Sequence, residues 1–280
     1  MKKMNLSDRM KSYENYNKQF LAPNQYVLMR LDGKNFSNFT RKNFTKPFDM
    51  IFIDIMQKVT EYLYNNISGC CAAYVQSDEI TLLLTDMKTL GMEGWFNYRV
   101  DKMCSIAASM ATAKFNNLLY SELFYRIQSE RNVPSSLEYS AGDISEELDK
   151  MPLPVFDCRV WNVPNSAEAE NVFLWRQRDC IRNSVLQYAQ SFFSHKELMN
   201  KNIDEVKDLI RNKFSNDSSK WWENLCNVVK YGTFYFKRKN LLTDRNEMIS
   251  FSELMYSNEP ATISAIPYEF KRIFDDVVKY

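Results

Sequence analysis

Two aspartates carry the first chemical signal in this sequence. Asp32 ends the apolar run Tyr26-Val27-Leu28-Met29-Arg30-Leu31 and is followed at once by Gly33. Asp78 lies between two further apolar runs, with Ser77 before it and Glu79 after it. Two carboxylates at one place, with a backbone carbonyl at the glycine, form a hard-oxygen site suited to Mg²⁺, which keeps waters and completes its shell with substrate phosphates. Two such ions about 3.5–4 Å apart would stabilise the attacking and leaving oxygens of a phosphoryl displacement. The stretch Lys34-Asn35-Phe36-Ser37 adds a lysine and backbone N–H groups fit for a triphosphate. On spacing alone the plainer alternative, that both aspartates are turn or capping residues, stays open.

The elements that must position this pair follow from the apolar pattern. Residues 26–32 read as a strand halted by Gly33. A long helix is expected from Pro47, a residue suited to the first helical position, with Phe48, Ile51, Phe52, Ile55, Met56 and Val59 at three-four spacing. Cys70–Gln76 and Ile80–Leu84 form a hairpin around Ser77-Asp78-Glu79. A second helix over 93–118, a loop over 130–154 rich in Ser, Glu, Pro and Asp, and a strand at Val155–Val163 complete the set. Strand, helix, strand, strand, helix, strand is the split βαβ, ferredoxin-like α+β arrangement, with an antiparallel sheet and helices on one face. In that sheet the first strand adjoins the hairpin, so Asp32 and Asp78 converge at one edge.

Beyond Pro164-Asn165, Ser166 is expected to cap a further helix. Leu174, Ile181, Val185 and Tyr188 would face inward, while Trp175, Arg176, Asp179, Arg182 and Asn183 occupy another side. Helices over 5–20, 203–214 and 219–229, a strand over 231–238 and a short helix near 268–278 account for the rest. The division that results is a split βαβ domain over 1–165 and a mainly helical C-terminal domain over 166–280.

Composition limits the function classes. With 280 residues, 45% hydrophobic and 25% charged, the chain has material for a real core and is not of the disordered kind. No run of about 18 apolar residues occurs, and the two N-terminal lysines precede no apolar stretch, so no membrane span or secretory signal is read and a cytoplasmic setting is expected. Apart from adjacent Cys70 and Cys71, the six cysteines lack zinc or redox spacing and read as reduced, mostly buried thiols. His195 is the sole histidine, which excludes multi-histidine metal sites. A net charge of +1 leaves nucleic-acid contacts to local patches: Lys34, Arg41, Lys42 and Lys46; Arg176, Arg178 and Arg182; Lys237, Arg238 and Lys239. Such runs, read alone, are ordinary solvated faces. Trp175 and Arg176 could stack on or clamp RNA or could pack at a helix interface, whereas Trp221 and Trp222 read as packing residues.

Five blocks in order resemble the signatures of the tRNA-His guanylyltransferase family: Arg30-Leu31-Asp32-Gly33-Lys34-Asn35-Phe36, Phe44-Thr45-Lys46-Pro47, Tyr74-Val75-Gln76-Ser77-Asp78-Glu79, Phe156-Asp157-Cys158-Arg159-Val160 and Trp175-Arg176-Gln177-Arg178-Asp179-Cys180. The resemblance implies a palm-type nucleotidyltransferase that extends RNA in the 3′–5′ direction. It implies that Asp32, the Gly33 carbonyl and Asp78 hold two Mg²⁺. Asp32, Gly33, Lys34, Asn35, Phe36 and Ser37, with Ser77 and Asp78, would line the site for ATP and GTP. By the same resemblance Lys46 serves 5′-end activation, Glu79 matches an acidic residue of open role, tRNA is the partner and a homotetramer is the assembly. Where the eukaryotic branch carries a histidine, this chain has Ile181, and Arg182-Asn183-Ser184 through His195-Lys196-Glu197-Leu198 resemble the bacterial and archaeal branch. That branch implies template-directed repair of tRNA 5′ ends. Trp175, Arg176, Arg182, Asn183, His195 and Lys196 are the candidate RNA contacts, with a structural or surface role the alternative for His195. The alternatives are a dedicated enzyme adding one 5′ G to tRNA-His, a palm-like RNA-binding protein without turnover, and a nucleotide cyclase of similar topology.

Overall fold

The computed structural model describes residues 4–87, 91–130, 153–239 and 246–250. Its centre is a six-stranded antiparallel sheet in the order β4-β1-β3-β2-β5-β6. The strands are β1 (Tyr26–Gly33), β2 (Cys70–Gln76), β3 (Glu79–Leu84), β4 (Phe156–Val163), β5 (Thr233–Lys239) and β6 (Asn246–Ser250). The first four have the split βαβ order expected. β5 and β6, from the stretch beyond residue 165, extend the same sheet past β2.

Helices cover both faces of this sheet, not one. Val27, Met29, Leu31, Ala73, Val75, Ile80 and Leu82 face α3 (Met50–Asn66) and α4 (Val100–Glu130), whose Phe52, Ile55, Met56, Val59, Met103, Ala107 and Phe115 close that core. Leu28, Ala72, Tyr74 and Leu83 face the other way, onto Ala169 and Phe173 of α5 (Ser166–Ala189). Strands buried on both sides lose the apolar–polar alternation, which is why their sequences read as nearly continuous apolar runs. A third cluster, with Val185, Tyr188 and Ala189 of α5, joins α6 (His195–Leu198), α7 (Ile203–Lys213) and Trp222 beyond the sheet.

Several boundaries differ from expectation for local reasons. α3 begins at Met50, not Pro47: Asp49 caps it by accepting from the amides of Ile51 and Phe52, and Pro47 follows a cis peptide in the preceding loop. α1 (Leu6–Tyr16) precedes the sheet, and α2 (Phe36–Asn43) is a helix the apolar pattern did not announce. The second long helix starts at Val100 after a 3₁₀ turn and runs on to Glu130. Asn165, not Ser166, caps α5, through the amide of Glu168. The segment over 219–229 is two 3₁₀ turns followed by the short helix α8 (Asn227–Tyr231). The expected loop at 130–154 and helix near 268–278 lie outside the described residues, apart from the ends of that loop. All six cysteines are free thiols, of which Cys71 and Cys180 are buried and Cys226 is exposed. Trp221 and Trp222 do pack, donating to the Phe214 carbonyl at 3.0 Å and to Ser184 Oγ at 3.1 Å. Among the described residues no helix is long and apolar enough to cross a membrane.

Candidate active site

Sheet register builds the site row by row. On the α5 side, Asp157, Asp32 and Glu79 lie side by side on β4, β1 and β3. One step back lie Arg159, Arg30 and Thr81, and a further step back Trp161, Leu28 and Leu83. This face therefore grades from carboxylates at the sheet's end, through cations, to apolar core. α5 covers the apolar part and reaches the charged part with Arg176, which is buried and not on a solvated side.

Asp78 occupies the two-residue turn between β2 and β3, where Ser77 takes a φ of 47°. The Gly33 amide donates to the Asp78 carbonyl at 3.1 Å, which draws the hairpin tip to the end of β1. Ser77 Oγ donates to Asp78 Oδ1 at 3.0 Å. Burial, then the Asp157 charge, raises the Asp32 carboxyl above its ordinary value, while Arg30, Arg159 and Arg176 pull it down. Burial also raises Asp78, with the Asp32 charge adding to it and Ser77 and Lys46 opposing.

Among the described residues neither aspartate is in an ion pair, and no third His, Cys, Asp or Glu side chain completes a metal-holding group with them. Two under-compensated carboxylates and a backbone carbonyl make an oxygen-only donor set, which fits a hard divalent cation that takes its remaining ligands from water and phosphate. Glu79 is placed differently. Its two oxygens accept from Arg176 Nε and Nη2 at 2.5 and 2.7 Å.

The first turn of α2 offers an anion site beside the aspartates. Asn35 precedes it in the left-handed region (φ 58°), and no side chain caps the helix, since Asn35 Oδ1 accepts from Asn38 Nδ2 at 2.7 Å. The amides at the start of an uncapped helix point at whatever anion docks there. Phe36 contributes backbone only: its ring is buried among Phe39, Phe52, Phe115 and Phe156. The Lys34 amide is taken by the Val155 carbonyl at 2.9 Å, which leaves only its exposed side chain for a phosphate.

Gly33 is required here by close approach, because a Cβ at this position would stand 2.4 Å from the Phe36 ring. Gly33→Ala is expected to push Phe36 and α2 aside, destabilising the fold by about 1–3 kcal/mol and lowering nucleotide addition at temperatures where the variant remains folded. A thermal melt and an activity assay at matched folded fraction check this.

Lys46 lines the same cleft as the aspartates. Its Nζ donates to Thr40 Oγ1 at 2.9 Å, and burial lowers its pKa while Asp78 and Asp49 pull it back up. The Gln187 side chain donates to the Pro47 carbonyl and so ties this loop to α5. A cleft of about 1020 Å³ joins these groups, with Asp32, Ser37, Lys46, Asp78, Arg176 and Asn183 on its walls. This is at the upper end of small-molecule sites, which run to about 1,000 Å³. Gly33, Asn35, Phe36, Ser77 and Glu79 also line it. Trp175, Arg182, His195 and Lys196 are exposed and stand outside the lining, as does Lys34. Trp175 is 54% exposed, with the Arg176 and Arg30 guanidinium groups 4.6 and 5.7 Å from its ring centre.

Sequence reasoning missed Asp157 and Arg30 as members of the site and the Arg176–Glu79 pair. For Asp157 and Arg30 a signal existed, because both stand in the quoted blocks at even spacing from core positions of their strands.

Comparison with known proteins gives concordant matches. The family model described as tRNAHis guanylyltransferase matches residues 7–164. A protein of Acanthamoeba polyphaga mimivirus is 31% identical over 263 residues, 90% of this chain and 84% of that one. The tRNA(His) guanylyltransferase of Debaryomyces hansenii is 31% identical over 177 residues, 63% of this chain but only 57% of that one. A bacterial tRNA(His) guanylyltransferase-like protein solved in complex with ATP superposes with a TM-score of 0.74 at 30% identity, covering 96% of this chain and 98% of that chain. The Saccharomyces cerevisiae enzyme, at 19% identity and a TM-score of 0.60, shares the fold.

Proposed function

The chain belongs to the tRNAHis guanylyltransferase family of nucleotidyltransferases, and from that premise we propose that it repairs tRNA 5′ ends by template-directed 3′–5′ addition. The observation that carries repair over single-G addition is Ile181. By the resemblance of the blocks it takes the place of the eukaryotic branch's histidine, and its apolar side chain is partly buried against the helical cluster around Val185 and Trp222. Similarity over nearly the whole chain to the bacterial guanylyltransferase-like protein solved with ATP supports nucleotide use by this chain.

The reaction has two phosphoryl transfers. In the first, an oxygen of the RNA 5′-monophosphate attacks the α-phosphorus of ATP, and pyrophosphate leaves. In the second, the 3′-hydroxyl of an incoming nucleoside triphosphate attacks the activated 5′ phosphorus, loses its proton and displaces AMP. Both depend on positioning and charge stabilisation. Asp32, the Gly33 carbonyl and Asp78 would hold two Mg²⁺, which when bound would stabilise the attacking and leaving oxygens. The triphosphate of ATP or GTP would lie on the amides of Phe36 and Ser37, beside Asn35 and Ser77 and within reach of the Lys34 side chain. Lys46 would serve the activation step.

RNA would cross the α5 side, with a base stacked on exposed Trp175 and phosphates met by Arg182, Asn183, His195 and Lys196. Those contacts position the RNA without reading it, so specificity falls to pairing with the opposite strand. A homotetramer working in the cytoplasm is part of this proposal.

The test is a 5′-truncated tRNA in which the base opposite the missing nucleotide is exchanged in turn for each of the other three. Incorporation should follow the opposing base and ignore the anticodon. Addition of G whatever the opposing base, and only to tRNA with a histidine anticodon, would establish the narrower guanylyltransferase instead.

A further inference from the structure

Asp78 and Glu79 are consecutive, yet only one of them is available to a ligand. The Glu79 carboxylate is fully engaged by the Arg176 fork, and Arg176 Nη2 also donates to Asp179 at 2.9 Å. The side chains of Arg176 and Glu79 are 8% and 11% exposed. We propose that Arg176 is a positioning residue: its clasp on Glu79 fixes the Ser77–Asp78 turn against α5 and so sets where Asp78 stands relative to Asp32. This rests on the reading of Asp32 and Asp78 as ion ligands.

Three observations lead there. The turn projects past the last ladder pair, Gln76 with Glu79, so the ladder itself does not hold its tip. What does hold it is the Gly33 amide on the Asp78 carbonyl and, one residue on, the Glu79 clasp. Glu79 is also directly opposite Asp32 in the β1–β3 register, so a shift of its side chain is felt by both aspartates. A planar guanidinium with two parallel donors defines the position and the plane of the carboxylate it grips, whereas a lysine ammonium defines neither. Three of the five Arg176 N–H donors are spent on Glu79 and Asp179 and its side chain is buried, so Arg176 serves this clasp first, while the exposed Trp175 beside it offers a ring face for stacking.

The experiment compares wild type with Arg176→Lys and with the double variant Glu79→Gln/Arg176→Met. Arg176→Lys keeps the charge and loses the fork. The double variant removes both charges at similar volume, which leaves neither of the two unpaired; Asp179 keeps Arg182 at 2.6 Å, and Arg30 loses only a partner 3.9 Å away. Mn²⁺ uptake is followed by electron paramagnetic resonance of the free ion, with no RNA or nucleotide present. Melting temperature and the kcat and KM for the incoming nucleotide are measured alongside.

The double variant is expected to fold, to need about tenfold or more Mn²⁺ for half-saturation, and to lose about tenfold or more in kcat, the range for partners that orient metal ligands. Its KM for nucleotide should rise by a smaller factor, since Ser77 of the same turn also lines the cleft. Arg176→Lys should move the same way by a smaller factor. A folded double variant with wild-type Mn²⁺ uptake overturns the proposal and leaves the pair as core packing. Should wild type take up Mn²⁺ without adding nucleotides, the proposed reaction fails, and weaker uptake by the variants still upholds the clasp.

Discussion

Asp78→Asn and Asp32→Asn should each fold at least as well as the parent chain and add essentially no nucleotide. Both carboxyls lie above their ordinary pKa, chiefly through burial, with a neighbouring carboxylate adding to each. A native pKa above the unfolded one means that the native state binds more protons in that interval, so ionisation opposes folding. The contribution of these two groups to stability therefore falls as pH rises from the ordinary carboxylate range through their raised values, and it stays unfavourable at neutral pH. Asparagine removes that cost. In EDTA at pH 7 the variants should melt at or above the wild-type temperature, and the gap should close as pH falls toward 4. Mg²⁺ should raise the melting temperature of wild type and leave the variants where they are. Activity should drop by about 10²–10³-fold or more, the scale for losing a preorganised group at a site of developing charge. A folded variant of normal activity, or one that melts far below wild type in EDTA, would sink the assignment of the pair.

How much of this could be read from the sequence depended on whether a feature was local. β1 and the β2–β3 hairpin were legible, because short apolar runs ended by Gly33 or interrupted by Ser77-Asp78 leave few alternatives. The convergence of Asp32 and Asp78 followed from topology alone. α2 was illegible: Phe36-Ser37-Asn38-Phe39-Thr40-Arg41-Lys42-Asn43 is poor in helix formers, and its stability comes from the Phe36 and Phe39 rings in the core. α5 misled because it serves two cores. Phe173 and Ala169 face the sheet while Val185 and Tyr188 face α7 and Trp222, so no single stripe describes it. Arg176 fell on the wrong side for another reason, since its partner Glu79 is 97 positions away and no local pattern announces such a pair. The covered second face of the sheet, by contrast, was already implied by the unbroken apolar character of β1, and the helices-on-one-face expectation gave that signal too little weight.

Lys46→Ala should separate the two phosphoryl transfers. Its Nζ rests on the Thr40 hydroxyl, on the wall of the cleft that also carries Asp78, and burial leaves this amine partly desolvated with its pKa lowered. A cation already held beside the phosphates needs no reorganisation when their charge develops. If Lys46 serves the adenylylation of a 5′-monophosphate, its removal should slow addition to a 5′-monophosphorylated tRNA by about 10²–10³-fold. Addition to the same tRNA bearing a 5′-triphosphate, which already carries a leaving group, should hold near the wild-type rate. The lowered pKa adds a pH signature. Addition to the monophosphate should decline as pH rises through the lowered value, earlier than for an ordinary lysine, because the charge is lost there. Lys46→Arg, whose charge does not titrate in this range, should retain part of the rate and lose that alkaline decline. The measurement is single-turnover nucleotide addition to the two tRNA forms between pH 7 and 10, for wild type and both variants. Equal losses on the two 5′ ends would assign Lys46 to general substrate binding and remove it from activation.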